Sequence, residues 1–502
     1  MFIPDQWRGD VLGHLGNPAA VTPNIDRLVE TEAVSFRHAF CQSPLCTPSR
    51  CSFMTGWYPH VRGHRSMSFG LEPGDPMLLQ ILKRQGYHVW WGGKNDLVAA
   101  SDSGQYCDDR FFPRKVWPQK PWQTMYAYDK QANWRGPADG DDYYSFFAGK
   151  LPTTPDTGCY LDDDWGCVQG AIEAIQHRPI DKPLCIFLAL NYPHPPYAVE
   201  DPWFSMIERD KLPPRRPRPD GWQGKPSMMK GLWEGQRLQA KNDLWWNELR
   251  ATYYGMCARV DHQLGMVIEA LREADIFDQT AVMFFSDHGD YAGDYDLPEK
   301  NMNTFEDPLV NVPLIVKPPV SIEATPGVRD ALVELVDLPA TIADLTGVEL
   351  DHIHFGRSIV EALRGQNDHH RDAVFAEGGR IHGEWMCMEL ESTWDHPSEN
   401  PYWPRHQLQR SEGPQHTKAT MSTMCRTKQY KYIRRLYEQD ELYDLTKDPQ
   451  EVRNVINDSA YDQVLLQLKE RMLTFLHSTT DVVSPVYTER DPAPIDTAEE
   501  SM

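Results

Sequence analysis

Groups able to bind a metal or move a proton recur at one kind of place in this sequence, directly after short apolar runs. Asp5 and Gln6 follow the opening Met1-Phe2-Ile3 stub, and Lys94, Asn95 and Asp96 follow Tyr87–Trp91 and a Gly-Gly turn. His194 follows Leu184–Leu190, and Asp287 with His288 follows Ala281–Phe285. Carboxylate and amide oxygens suit a hard divalent cation, and a single imidazole among them also tolerates manganese or zinc. Asp5, Gln6, Asp287 and His288 therefore form a candidate metal set. Taken singly, each residue has an ordinary reading: an Asp after a strand is usually a turn or helix cap, Pro193-His194-Pro195-Pro196-Tyr197 is a stiff turn, and Lys94 is a solvated lysine. Their joint occurrence favours a site.

A nucleophile is also available in Leu45-Cys46-Thr47-Pro48-Ser49-Arg50. Pro48 suits the first turn of a helix, which puts Cys46 at a helix N-terminus. Free N–H groups and the dipole favour an anion there, and a thiol so placed would be acidified. The competing reading is a small buried residue at a helix start. A cysteine hydrolase using Cys46 and His194 is a further option, one that would be insensitive to chelators because it does not need Asp5 or Asp287.

These residues need a scaffold that brings strand ends together. Apolar, β-rich runs at 87–91, 184–190, 281–285 and 312–316 alternate with helical patterns, such as Met256, Val260, Leu264, Val267, Ile268 and Leu271. The alternation predicts an α/β fold, a mostly parallel central sheet with helices on both faces. Ligands bind such sheets at the carboxyl ends of the strands. Near residue 370 the character changes to alternating strands and then a charged amphipathic helix over Tyr461–His477. The expected organisation is a catalytic domain over 1–370 and a smaller α+β subdomain over 371–502. Residues 101–165, 201–246 and 384–420 read as long surface loops. Their aromatics either stack on a sugar or aryl group or pin each loop to its own domain.

The 502 residues carry 50 basic and 73 acidic side chains, a net charge of −23, which excludes a general binder of nucleic acid or anionic membranes. The ten cysteines show neither the spacing of a disulfide scaffold nor paired zinc motifs, as expected of buried thiols in a reducing compartment. No run approaches a membrane span. Met1–Asp10 has neither a basic head nor an apolar signal core, so the cytoplasm is the expected compartment. The Met1–Pro4 stub is short for an opening strand, as a truncated start would leave it. Oligomeric state, a homo-oligomer included, stays open.

Cys46-Thr47-Pro48-Ser49-Arg50, continuing to Thr55-Gly56, resembles the signature of the type I sulfatases of the alkaline phosphatase superfamily, in which the cysteine is oxidised to formylglycine. The likeness continues in order through PDQWRGD, TPNIDRL, NYPHPPY, SDHGD, PEKNMNTFED and YKYIRRLYEQDELYDLTKDPQEVRNV, and so covers most of the chain. The resemblance implies an alkaline-phosphatase-like fold and a formylglycine-generating enzyme as the maturation partner. It implies one divalent metal, Ca2+ first and Mn2+ or Zn2+ next, held by Asp5, Gln6, Asp287, His288 and residue 46. The hydrated aldehyde at position 46, deprotonated with help from Asp287, would attack the sulfur of a sulfate monoester. Its second hydroxyl would then collapse back to the aldehyde and eject sulfate. Arg50 would steady the modified side chain, while Lys94, His194 and Lys300 would hold sulfate oxygens and handle protons at the bridging oxygen. A solvated loop lysine is the competing reading of Lys300. The implied substrate is a small or oligosaccharide sulfate ester, a carbohydrate sulfate before an aryl sulfate.

The sequence departs from the family pattern in two ways. Gln6 stands where many members have a second acid, and Asp96 stands where many have a histidine two residues after the lysine. Asp96 would instead orient Lys94 or bind a substrate hydroxyl, and the proton donor to the leaving alcohol is left between His194 and Lys300. The Asp-Gln start, the Asp-His pair, the modifiable cysteine, Pro193-His194-Pro195-Pro196-Tyr197 and LRATYYG also resemble phosphonate monoester and phosphate diester hydrolases, against which Lys94 speaks. A non-catalytic binder of sulfated glycans on the same fold is the remaining alternative, and retention of the nucleophile position argues against it.

Overall fold

The short apolar runs pair into one mixed sheet in the computed structural model, which describes residues 1–120, 122, 145–152, 161–365, 368–384, 408 and 418–482. Its strands lie in the order Gly327–Glu334, Val34–Phe40, Leu314–Lys317, Val282–Phe285, Phe2–Ile3, Leu184–Ala189, His88–Gly93 and Asp109–Phe111, and Asn311–Val312 pairs beside Val34–Phe40. Leu314–Lys317 is antiparallel to both neighbours, and Asn311–Val312 is antiparallel to Val34–Phe40. The remaining pairings are parallel. Helices flank the sheet, so a strand such as Val282–Phe285 is buried at every residue and reads as an unbroken apolar run. The α/β expectation holds.

The arrangement fixes where chemistry can gather. Val282–Phe285, Phe2–Ile3, Leu184–Ala189 and His88–Gly93 are consecutive and mutually parallel, so their carboxyl ends share one edge. The long helix Asp243–Glu273 starts at Asn242, whose side chain accepts from the Trp245 N–H. It buries Tyr253, Met256, Val260, Leu264 and Leu271, which recur at helical spacing.

One expectation needs correcting here. Residues 201–246 are not a long surface loop: Ser227–Gly235 is a helix, and the segment from Asp243 belongs to the long helix. Its tryptophans Trp222 and Trp246 are buried, so at these positions the aromatics pin the segment to its own fold. Of the other two segments read as loops, residues 123–144, 153–160, 385–407 and 409–417 lie outside the described residues.

The later part of the chain forms an antiparallel sheet, Val374–Gly378, Ser422–Arg426, Tyr430–Arg435 and Glu441–Asp444, in that order. Helix Asp462–Thr479 covers it through Leu468, Met472 and Phe475, and Phe475 stacks on Phe375 with ring centroids 3.9 Å apart. Cys41, Cys46, Cys51, Cys107, Cys167, Cys185, Cys257 and Cys425 are buried free thiols. Among the described residues no helix is long and apolar enough to cross a membrane.

Candidate active site

Two turns at the shared edge are stitched together by backbone donors. Gln6 has φ 72°, a left-handed conformation that costs a non-glycine residue about 1–3 kcal/mol unless its surroundings enforce it. They do enforce it. The Gln6 N–H donates to Asp287 Oδ1 (3.1 Å), the Trp7 N–H donates to Ser286 Oγ (2.8 Å), and the Gln6 carbonyl accepts from the Tyr253 hydroxyl (2.7 Å). Asp5 and Asp287 are thereby brought side by side.

The next strand end depends on glycine. Gly93 has φ 87°, and a Cβ there would stand 1.8 Å from the Ala189 carbonyl oxygen. Only glycine lets the chain turn so closely past Ala189, whose carbonyl accepts from the Lys94 N–H at 2.8 Å. Lys94 is thus aimed back over the edge toward Asp5.

The candidate nucleophile, Cys46, comes from helix Cys46–Thr55, buried along its whole length. Leu45 is its extended N-cap and Cys46 its first residue; Pro48 falls in the first turn, where a missing N–H is harmless. The helix stops at Gly56, which has φ 72° and no room for a side chain, since a Cβ would lie 2.8 Å from His354 Cβ.

Cys46 Sγ lies 3.1 Å from His288 Nε2, 3.5 Å from Lys94 Nζ and 3.7 Å from Asp5 Oδ1. One ligand atom from each of Asp5, Cys46, Asp287 and His288 falls within 4.8 Å of all the others. Donors about 2.3–2.6 Å from a calcium-sized ion can be no farther apart than about twice that distance, so the spacing fits one shared cation. The donor chemistry fits as well. His288 Nδ1 faces the Gly289 carbonyl at 2.9 Å and must carry the hydrogen, which leaves the Nε2 lone pair pointing at the site.

The charges around this centre are paired. Arg50 donates from Nε to Asp287 Oδ2 (2.8 Å) and from Nη2 to Asp5 Oδ2 (2.9 Å), with all three side chains fully buried. Its hydrogen-bond partners are thus the two carboxylates rather than residue 46. Lys94 Nζ reaches Asp5 Oδ2 at 2.7 Å and Asp96 Oδ2 at 2.9 Å. Burial alone would raise the Asp5 carboxyl, but the Lys94 ammonium foremost, with the Arg50 guanidinium, holds it well below the usual range. The Cys46 thiol is not acidified as its helix position predicts: burial and then the Asp5 carboxylate push it far up. The helix terminus is outweighed by a charged neighbour inside a dry interior.

His194 and Lys300 join from neighbouring loops. The His194 Nδ1–H donates to the Pro195 carbonyl at 2.6 Å, and burial followed by the Lys300 and Lys94 charges keeps the imidazole well below its ordinary pKa, hence neutral. Lys300 is not a solvated loop lysine. It is fully buried and donates to Gln6 Oε1 at 2.7 Å, with Glu299 Oε1 at 3.4 Å. The Gln6 amide nitrogen donates to Asp290 Oδ2 at 2.6 Å. Asp290, Tyr197, Tyr253 and Glu299 escape a search of strand ends. Asp290 carries the one usable signal, a second acid three residues after Asp287 inside Ser286-Asp287-His288-Gly289-Asp290.

The family model described as Sulfatase matches residues 2–348, and that described as N-sulphoglucosamine sulphohydrolase, C-terminal, matches residues 406–478. Among curated relatives, an arylsulfatase of Clostridium perfringens is 24% identical, the match covering 94% of this chain and 93% of the relative. Among solved structures, the phosphonate monoester hydrolase of Agrobacterium radiobacter superposes with a TM-score of 0.71 at 20% identity, covering 95% of each chain. A protein solved with its substrate D-glucosamine-2-N,6-O-disulfate superposes with a TM-score of 0.68 at 15% identity, covering 95% of this chain and 97% of that one. The span of the first match, which takes in every strand of the central sheet and each of the side chains just described, means that this chain belongs to the sulfatase family.

Proposed function

We propose that this sulfuric ester hydrolase acts on a carbohydrate sulfate monoester, with residue 46 converted from cysteine to formylglycine by a formylglycine-generating enzyme. The observation that carries the reading is the position of Cys46 Sγ, 3.1 Å from the free nitrogen of His288 and 3.5 Å from the Lys94 ammonium. A group attached there meets metal donors on one side and a cation for the substrate on the other. Asp5, Gln6, Asp287 and His288 would hold a divalent cation, Ca2+ before Mn2+ or Zn2+, whose Lewis acidity would favour an oxygen nucleophile at position 46. The hydrated aldehyde supplies that oxygen where a thiol pushed far up does not.

The chain's own groups supply the remaining steps. Lys94 and Lys300 would bind sulfate oxygens and stabilise charge that grows as the S–O bond breaks. His194 is neutral in the free site because burial, and then the Lys300 and Lys94 ammonium groups, disfavour its charge. An arriving sulfate monoester carries one negative charge that offsets those ammonium groups, so His194 would take up a proton from solvent as the ester binds and give that proton to the leaving alcohol as the S–O bond breaks. The sugar specificity rests on the family match and on the disulfated glucosamine bound by one structural neighbour.

Mass spectrometry of the peptide containing residue 46 tests the modification. A panel of sulfated mono- and disaccharides, an aryl sulfate and a phosphonate monoester tests the substrate class. The expected result is formylglycine at 46 with highest kcat/KM on a sulfated sugar; an unmodified thiol in active protein overturns the reading. The Asp5-Gln6 start and the Asp287-His288 pair favour phosphonate monoester hydrolysis as the second reading, which a preference for the phosphonate in the same panel would establish.

A further inference from the structure

We propose that Asp290 is a positioning residue that decides which end of the Gln6 side-chain amide is presented to the cation site; this rests on the cation reading above. Asp290 is fully buried. Its Oδ1 accepts from the Ala292 N–H at 2.5 Å and from the Tyr197 hydroxyl at 2.8 Å, and its Oδ2 accepts from Gln6 Nε2 at 2.6 Å. Tyr197 oxygen accepts from the Glu299 N–H at 2.6 Å, so its own hydrogen is free to go to Asp290.

A carboxylate has no hydrogen to give, so only the NH2 end of Gln6 can face it. At the other end Lys300 Nζ, which can only donate, stands 2.7 Å from Gln6 Oε1. Both ends of the amide are therefore clamped in one sense, with the oxygen on the Lys300 side. That oxygen keeps a second lone pair for a cation, whereas a flipped amide would offer hydrogens instead.

The clamp makes an unusual prediction for the isosteric variant Asp290→Asn. The Ala292 backbone N–H is fixed on the Oδ1 position, while the Tyr197 hydroxyl lies 2.8 Å from Oδ1 and 3.1 Å from Oδ2, so the asparagine oxygen must settle at Oδ1 and its NH2 must take the Oδ2 position. It then faces the Gln6 NH2 group. Relieving that clash by flipping Gln6 creates a second one, NH2 against the Lys300 ammonium. Removing the side chain with Asp290→Ala opposes nothing and leaves Lys300 to hold the oxygen in place. Combining Asp290→Asn with Gln6→Glu supplies an acceptor to both partners.

The experiment is calorimetric titration of EDTA-treated protein with Ca2+, with thermal unfolding measured on each variant. Asp290→Asn is expected to bind Ca2+ about 10–100-fold more weakly, as for other partners of metal ligands. Asp290→Ala is expected to lose less than the isosteric variant, and the double variant to recover most of the loss. A purely structural anchor gives the opposite order, Ala worse than Asn, and that order overturns the proposal, as does unchanged binding by Asp290→Asn. Should a single variant fail to fold, the double variant decides: recovered stability and Ca2+ binding support the clamp, and no recovery overturns it. Absence of Ca2+ binding by the unsubstituted protein overturns the cation reading and this assignment with it.

Discussion

Two of the buried clusters of charge in this molecule differ in what they leave over for chemistry. In the smaller sheet Lys431 Nζ donates to the Phe305 carbonyl and to Asp307 Oδ1, both at 2.7 Å, and to Glu451 Oε1. Arg426 pairs with both Asp307 oxygens, and Glu451 Oε2 accepts from Arg216 at 3.1 Å and from the Asp307 N–H at 2.8 Å. Every acceptor has a strong donor. At the strand-end site Asp5 Oδ2 is likewise taken by Arg50 and Lys94. Asp5 Oδ1, in contrast, has among the described residues only a thiol at 3.7 Å and an imidazole nitrogen at 3.8 Å. Lys94 also keeps 16% of its side chain exposed, whereas Lys431 is sealed. Burial of charge is therefore a poor marker of a site; acceptor capacity left over beside a nucleophile, with an opening to solvent, is the better one.

The sharpest break between the clusters comes from removing a lysine in each. Lys431→Met leaves Asp307 and Glu451 facing each other with one cation fewer, and stability should fall by about 3–5 kcal/mol. Urea unfolding measures this, and kcat per folded molecule should stay unchanged. Lys94→Ala should do the reverse. Asp5 retains Arg50 at 2.9 Å, so unfolding shifts little, while kcat on a sulfate ester drops roughly 10²–10³-fold, as for loss of one transition-state donor. Equal losses of stability and rate in both variants would erase the distinction.

A milder probe is the cation itself. The carboxylates of the site are already neutralised by Arg50 and Lys94, so chelation should abolish activity without unfolding the protein. Returning Ca2+ to about 100 times its dissociation constant should raise the unfolding free energy by about 2.7 kcal/mol. Asp5→Asn should lose most of this increment, because it removes a carboxylate from the strand-end donor set. A cation-dependent increment that persists in full in Asp5→Asn would show that the ion binds outside the strand-end site.

The contrast also explains what the sequence discloses. Asp5, Lys94, His194 and Asp287 are legible because each follows an apolar run, and adjacent parallel strands deliver such residues to one edge. The pairing order, with Leu314–Lys317 reversed between parallel neighbours, is not legible, since a buried strand has the same composition in either direction. Lys300 escapes the search of strand ends for a different reason, and only the family resemblance points to it. It follows no strand, and it reaches Gln6 only because the chain from Ala292 to Glu299 turns through left-handed conformations at Ala292, Tyr295, Asp296 and Glu299. Gly293, with φ 96°, is the one glycine among the left-handed residues of this stretch, and the other four carry side chains that do not announce the turn. The Asp290–Gln6–Lys300 clamp depends on that path, so its members look like unrelated polar residues in the linear chain.

Acid provides the last and smallest test, because the closed clusters should govern stability on that side of neutrality. Glu306, beside the smaller sheet, would be raised by burial, but Lys225 at 2.8 Å outweighs this and holds it at about 2. A carboxyl depressed on folding contributes stability that is present above its unfolded pKa and lost as pH falls through its folded one. Unfolding free energy should therefore decline between the ordinary Glu range, about 4.3, and about 2, with Glu306 contributing no more than about 1.4 kcal/mol per pH unit. Glu306→Gln should flatten the slope by up to that amount while leaving the pH dependence of kcat untouched. If the acid slope instead persists in Glu306→Gln and follows loss of Ca2+ binding, protonation of the strand-end carboxylates controls acid unfolding, and the closed cluster is the weaker partner in the comparison.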